Sequence, residues 1–399
     1  MSKYFLLVAV VVLFFLAVGS GLEILFRLAY TAAFTLVLAF GWTQLSLRKV
    51  SLGRRVQSAR GQVGEEMVET LSLVNGSRLP KVWLGVQDLS TLPDHGVSRV
   101  VSSSGRKAVR WEVRTMCHQR GRFRLGPAVL RAGDPFGLFE KRSLVGEASA
   151  VVIYPATVPL PGLRLPGGAL LGGTNRRRYT DQITPNAAGV REYVPGDSLS
   201  RVHWLTSARM NRLMVKEFEP DPIADLWIAL DMDATVHVGE GPQSTEEYAV
   251  HAAASIARHF LMNGWAVGLL SLSEQHHDIP PERGDRQMIK MLEELAVIRA
   301  TGHVSLAEML ISEGVRFGRY ATVVTITPSV DEGWGVVLGS FIEQGVRSMA
   351  LLVDASSFGG RPAPSTDLLA QQVAKGVTTY TYRKGDSLAS VLASEGAQV

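Results

Sequence analysis

Apolar residues run unbroken from Tyr4 to Val18 and almost unbroken from Leu28 to Leu45. Each run approaches the ~20 residues that a helix needs to cross a bilayer core. Between them Gly19-Ser20-Gly21, then Glu23 and Arg27, interrupt the pattern. Residues 1–47 are therefore expected to form a transmembrane hairpin of two helices. From residue 56 to 158 the pattern shortens to alternating stretches, such as Glu66–Val74, Val82–Val86, Val97–Val101 and Val109–Cys117. Asn75-Gly76-Ser77, Pro93-Asp94-His95-Gly96 and Ser102-Ser103-Ser104-Gly105 punctuate them as turns. A period of two at this spacing predicts a small β-sandwich, whose edge can accept a partner's strand or which serves only as a spacer holding the next domain off the membrane. After a linking segment, 159–222, strand-like and helix-like runs alternate over 223–399. Strands are expected at 225–231, 265–272, 320–327, 346–353 and 376–382, and helices at 245–262, 285–300, 306–312, 334–344 and 387–393. Ser244 with Glu247 reads as a capping box, and Asn263-Gly264 as the stop of the first of these helices. The alternation predicts an α/β domain with a mainly parallel sheet covered on both faces.

Charge adds an orientation. Arg48, Lys49, Arg54, Arg55 and Arg60 follow the second apolar run, with no acid before Glu65. Basic residues beside a span are retained on the cytoplasmic side, so the soluble parts and, with Lys3, both termini are expected in the cytoplasm of a cell-membrane protein. The same cluster can touch lipid headgroups. The rival is a cleaved signal peptide ending at Ala17-Val18-Gly19, which the second apolar run opposes. Over 399 residues, 41 basic and 37 acidic side chains leave a net charge of +4, which calls for no nucleic-acid partner. A single cysteine, Cys117, excludes an internal disulfide framework; within an alternating strand it reads as a packed hydrophobe rather than a reactive thiol.

Arg120, Arg122 and Arg124 alternate with Gly121 and Phe123. On an extended strand they would share one face, suited to phosphate or RNA or, more commonly, to a solvated surface paired with local acids. The Gly167–Gly173 loop lacks the Gly-Lys-Ser/Thr ending of a nucleotide-binding loop. The densest polar stretch contains Arg191, Tyr193, Pro195-Gly196-Asp197, Arg201, His203, Trp204, Arg209 and Glu217. These residues suit a binding surface, or a polar network that locks the segment onto the domain behind it. No nucleophile motif accompanies Asp197 and His203.

The order Arg191-x-Tyr193-x-Pro195-Gly196-Asp197, Arg201-Val202-His203-Trp204, Ala208-Arg209 and Leu213-x-Val215-x-Glu217 resembles the signature of the bacterial family named domain of unknown function 58. Arg120-Gly121-x-Phe123 and Asp134-Pro135-Phe136-Gly137-Leu138-Phe139 are similar to its upstream elements. Leu205 stands where the family commonly has lysine, which puts any role of that lysine in doubt here. The resemblance implies a von Willebrand factor A-like doubly wound sheet behind the β-sandwich and the transmembrane hairpin. Such domains often hold a divalent cation through Asp-x-Ser-x-Ser after the first strand, plus a threonine and an aspartate from other loops. Here that loop reads Asp231-Met232-Asp233-Ala234-Thr235, implying a degenerate MIDAS-like site in which Asp231, Asp233 and Thr235 hold magnesium and Thr301 or Ser305 supplies the threonine. Alternatively, Asp231 braces the strand end. Pro328-Ser329 stands where the late aspartate is expected, with Asp331 further on. The resemblance also implies a MoxR-type AAA+ ATPase as protein partner. The leading expectation is thus a non-enzymatic, membrane-anchored adaptor. Its alternatives are a metal-dependent binding receptor and, remotely, a hydrolase or transferase using Asp197, His203 and Glu217.

Overall fold

The structure, a computed structural model, describes residues 2–163, 165, 187–194, 202–218, 225–318, 321–360 and 376–394. The chain divides into two compact units, Met1–Tyr154 and Pro155–Val399.

The first unit opens with α1 (Ser2–Ser20) and α2 (Glu23–Ser46). Gly21 turns the chain between them at φ +66°, a left-handed conformation that glycine adopts without steric cost. The expectation of two spans is met in part. Among the described residues, only α2 is long and apolar enough to cross a bilayer, whereas the described apolar stretch of α1, Leu7–Ser20, is shorter. Lys49, at φ +58°, reverses the chain after α2, so β1 (Val50–Val56) begins earlier than the hydropathy pattern suggests.

Three small antiparallel or mixed sheets follow. β1 pairs with β3 (Glu66–Asn75), which pairs with β6 (Ala108–Met116). β4 (Lys81–Asp88) lies between β5 (Arg99–Ser103) and β8 (Ala128–Gly133), and β9 (Glu140–Val145) completes that sheet. Leu71, Leu73 and Trp111 from the first sheet share one core with Leu84, Val86 and Leu130 from the second. The two sheets thus face one another across a shared core. The third sheet, β2 (Arg60–Gln62), β10 (Ser149–Tyr154) and β7 (Gly121–Leu125), has its own apolar cluster around Met67, Cys117, Leu125 and Ile153. Cys117 is buried there, and burial pushes its thiol up, with the charge of Glu65 adding to the effect. The packed-hydrophobe reading fits this environment.

Two charge expectations need correction. Arg120 is buried, while Arg122 and Arg124 are exposed, so the three do not form one stripe. Gly121, at φ +148°, breaks the alternation between Arg120 and the rest. Arg54 does not face solvent beside the helix either. Its guanidinium contacts Glu69 at 3.4 Å and Asp88 at 2.5 Å, and both carboxylates are buried. His95 Nε2 lies 3.0 Å from Glu69 and 3.4 Å from Asp88, and its Nδ1 lies 2.7 Å from Thr115 Oγ1. Removing one partner from such a group strands a buried charge. Arg54→Met is therefore expected to cost the sandwich about 3–5 kcal/mol in a denaturant titration of the full chain in detergent. A loss under about 1 kcal/mol, the scale of a solvent-exposed pair, would contradict the role assigned to this network.

The second unit holds a six-stranded sheet in the order β15-β14-β13-β16-β17-β18. β13 (Leu226–Leu230), β14 (Val267–Leu272), β16 (Thr322–Thr327), β17 (Arg347–Val353) and β18 (Thr378–Tyr382) are parallel to their parallel-sheet neighbours. β15 (His276–Glu282), not foreseen from the hydropathy pattern, pairs antiparallel at the edge. Its Pro280 and Pro281 suit that place, since proline cannot donate to a ladder and is confined to strand edges.

Every residue of β13 is buried, as a strand covered on both faces requires. On one face Ile228 and Leu230 pack with Ile256 and Phe260 of α4 (Thr245–Met262), Leu295 of α5 (Asp285–Val297) and Leu392 of α8 (Leu388–Ala393). On the other, Trp227 and Ala229 pack with Leu310 of α6 (Leu306–Glu313) and with Trp334 and Leu338 of α7 (Gly333–Glu343). Helix α5 stops at Val297, where Ile298 turns extended, rather than running to Ala300. Ser244 accepts from the Glu247 N–H as expected. A full capping box forms at Ser305 and Glu308 instead.

Candidate functional site

Two places collect the polar residues singled out in the sequence. The first is the antiparallel pair of β11 (Ala187–Glu192) and β12 (Met214–Phe218), with α3 (Trp204–Met210) between them in the chain. Pro195, Gly196, Asp197 and Arg201 lie outside the described residues, as do the side chains of Arg191 and Glu217. Both of those backbones sit in the ladder, Arg191 opposite Val215 and Gly189 opposite Glu217. His203 is an N-cap: its Nδ1 accepts from the Thr206 N–H at 3.2 Å. Its own N–H donates to the Met214 carbonyl at 2.8 Å. Ser207, buried, takes the Met214 N–H on its hydroxyl oxygen at 2.9 Å. These bonds fasten α3 to β12 within the segment itself, and Ser207, not singled out from sequence, is the second half of that lock. The Tyr193 N–H donates to the Leu213 carbonyl at 2.9 Å and extends the same pairing.

Trp204 and Arg209 have no part in that lock. Trp204 is 67% exposed and Leu205 65%. Val194, Met210 and Leu213 are exposed as well, which makes this segment an apolar surface. Arg209 stands in the last turn of α3, where a cation complements the helix dipole.

The second place is the C-terminal edge of the parallel sheet, where the strand order reverses at β13. Open α/β sheets place their ligand crevice at such an edge. Asp231 follows β13 and is buried. Its Oδ2 accepts the Thr327 hydroxyl from the end of β16 at 2.6 Å, and its Oδ1 accepts the Asp233 N–H at 3.1 Å. Asp233, also buried, accepts the Thr235 N–H at 2.9 Å and is bridged to Gly302. His237 Nε2 lies 2.9 Å from the Asp231 carbonyl oxygen; a carbonyl only accepts, so the ring donates there. Burial pushes the Asp231 carboxyl up, an effect opposed by the Thr327 hydroxyl, the Asp233 N–H and the His237 charge.

Thr301 and Ser305, the residues expected to supply a threonine or serine oxygen, have hydrogen bonds of their own. Thr301 accepts from the Glu274 N–H, and Ser305 caps α6. Thr327 is the threonine bonded to Asp231. Its position at the end of an apolar strand, directly before Pro328, is the sequence feature that marks it.

Residues 189–344 match the family described as "Protein of unknown function DUF58". The DUF58 match takes in the described parts of both places, from β11 through α7. A relative, "Uncharacterized protein YeaD" of Bacillus subtilis (strain 168), is 25% identical over 314 residues, covering 76% of this chain and 73% of that protein. Both findings support the DUF58 family. Among solved structures, the sporulation control protein Spo0M from Bacillus subtilis aligns at 9% identity over 26% of this chain and 49% of its own, with a TM-score of 0.18. The complex of Zinc 2-glycoprotein and Prolactin inducible protein from human seminal plasma aligns at 9% identity over 27% of this chain and 96% of the matched chain, with a TM-score of 0.21. Likenesses this weak carry no argument about architecture or role.

Thr327→Val takes a donor from a buried carboxylate, a loss worth about 1–3 kcal/mol. Thermal or denaturant unfolding of the second unit's transition should show it, and an unchanged transition would contradict the pairing. Because the folded Asp231 carboxyl lies above its ordinary range, the stability it contributes is fullest below the unfolded carboxyl's pKa and is lost as pH rises through the folded one. Asp231→Asn should flatten that part of the stability–pH curve; a curve identical to the unsubstituted protein's would contradict the assignment.

Proposed function

We propose that the chain is a membrane-anchored, non-enzymatic adaptor that docks a protein partner on the exposed apolar surface of α3 and its flanks. The observation that carries this reading is the solvent exposure of Trp204 and Leu205 beside a firmly bonded scaffold. An exposed apolar patch commonly marks an interaction site, and tryptophan is enriched among residues that dominate binding energy. The DUF58 resemblance supplies the partner class, a MoxR-type AAA+ ATPase. The strand order and the helices on both faces support a von Willebrand factor A-like doubly wound sheet behind that surface. Helix α2 and the shorter α1 support a two-span hairpin, and the exposed Arg48, Lys49 and Arg55 support a cytoplasmic orientation.

Trp204→Ala is expected to weaken capture of such an ATPase from detergent extract by at least about tenfold, the loss typical of a hot-spot residue. His203 and Ser207 still hold α3 in that variant, so its unfolding transition should not move. Capture at full strength by Trp204→Ala would overturn the reading.

A second reading is favoured by the buried Asp231 carboxylate. Asp233 and Thr235 stand two and four residues on in the same loop, and each Asp231 carboxylate oxygen keeps a further lone pair beyond the hydrogen bond it accepts. Their chemistry fits magnesium, with Asp231, Asp233 and Thr235 as its holders, and the bound cation would offer a partner's carboxylate a coordination position. Calorimetry with magnesium should give heat that Asp231→Asn abolishes. No heat from the unsubstituted chain would end this reading and leave the α3 surface unaffected.

A further inference from the structure

The β-sandwich does not simply hang below α2. Phe139, at the end of the β8–β9 turn, packs edge-on against Phe40 of α2 with ring centroids 5.7 Å apart. Lys141 donates to the Gln44 side chain at 2.8 Å, and the Lys81 ammonium donates to the Leu45 carbonyl. Phe40 stands six residues before the end of α2, which at the helical rise is about 9 Å up the helix. The helix has 24 residues, about 36 Å of length against a hydrocarbon core of about 30 Å. If α2 crosses a bilayer, Phe40 falls within the apolar layer near its edge. The turn that reaches Phe40 must then lie at that depth too.

What the turn presents fits this depth. Phe136 at its tip is 64% exposed. Asp134 in the turn is buried and accepts the N–H groups of Phe136 at 2.8 Å and Phe139 at 2.6 Å, and the exposed Glu140 that follows Phe139 is paired with Arg142 at 2.9 Å. Trp83, 64% exposed, lies on β4 at a bulge, two residues beyond the Gly85–Arg131 pair and on the side of the same turn. The neighbouring turns are tied to the end of α2 as well. Gly76 N–H donates to the Lys49 carbonyl, Asn75 N–H to that of Lys107, and Arg106 N–H to that of Ser77. They expose Lys49, Arg78, Arg106 and Lys107, and residues 44–64, 76–87 and 99–111 contain no acid.

We propose that this end of the sandwich is a membrane-interface surface: Phe136 enters the acyl boundary, Trp83 sits at headgroup level, and the surrounding lysines and arginines face anionic lipid phosphates. Apolar and aromatic tips with a basic surround are what binds an interface, and each basic group near an anionic leaflet contributes on the order of 1 kcal/mol. The proposal rests on the reading of α2 as a span, and its consequence is a sandwich that lies fixed against the bilayer rather than swinging on a tether.

Spin labels placed one at a time in the full chain, in nanodiscs of phosphatidylcholine with phosphatidylglycerol, test both statements separately. Cys117 is buried and so is screened from the label. Val37→Cys on the exposed face of α2 reports the span, Phe136→Cys and Trp83→Cys report the interface, and Glu147→Cys, beyond the opposite end of β9, reports water. The expected result is preferential relaxation by oxygen at positions 37 and 136, a smaller preference at 83, and relaxation by a water-soluble nickel complex at 147. A lipid-like signal at 37 with a water-like signal at 136 and 83 would overturn the interface and leave the span standing. A water-like signal at 37 would overturn both.

Discussion

The bond from the Lys81 ammonium to the Leu45 carbonyl is the constraint on which the first unit turns. A helix leaves its last carbonyls without partners, and at a bilayer edge those groups must be met by water or by protein. Leu45, whose carbonyl already takes the Arg48 N–H at 3.2 Å, receives a second donor from Lys81 of the sandwich, a positive charge placed where the helix dipole is negative. The lysine is itself buried, and burial pulls its pKa down. Lys49 turning directly into β1 leaves no slack. The apolar helix and the sandwich are therefore joined by a side-chain cap, an aromatic contact and a short reversal rather than by a linker.

Inside the sandwich the Arg54 network has a related effect. Two buried carboxylates, a guanidinium and an imidazole draw β1, β3, β4 and the loop containing His95 onto one point. Buried charges of this kind are costly to break and modest in net stability. Their contribution here is to fix which strand faces which, immediately below the helix. The second unit is built differently. Its sheet is covered by apolar layers on both faces, and its polar groups gather at the strand ends, as Asp231 and Thr327 do.

How much of this was legible in the sequence follows from range. Apolar runs, alternation and caps are local, so the helices, most strands and the α/β alternation could be read directly. Arg54 could not: its partners Glu69 and Asp88 lie on other strands, and a basic residue after a membrane run looks like any other. Arg120 was misplaced because a single glycine backbone angle shifted the alternation. β15 was missed because its two prolines argue against a strand everywhere except at an edge. At the sites, His203 and Trp204 are sequence neighbours with opposite fates, one bonded into a cap and one exposed, and the side-chain inventory alone does not separate them. Thr327 was overlooked because threonine in a strand usually reads as packing. Only the parallel pairing of β13 with β16 brings it to Asp231.

The functional account places a rigid anchor at one end and an exposed tryptophan surface on a separate unit, each intelligible from its own contacts. Its central claim is that α2 lies in a bilayer. Alkaline carbonate extraction of membranes from cells making the full chain tests this most directly, since it strips proteins held by charge or by other proteins and leaves those held by apolar spans. The account predicts that the chain stays with the lipid pellet. Its release into the soluble fraction would contradict the anchor, and with it everything inferred about the sandwich at the membrane face.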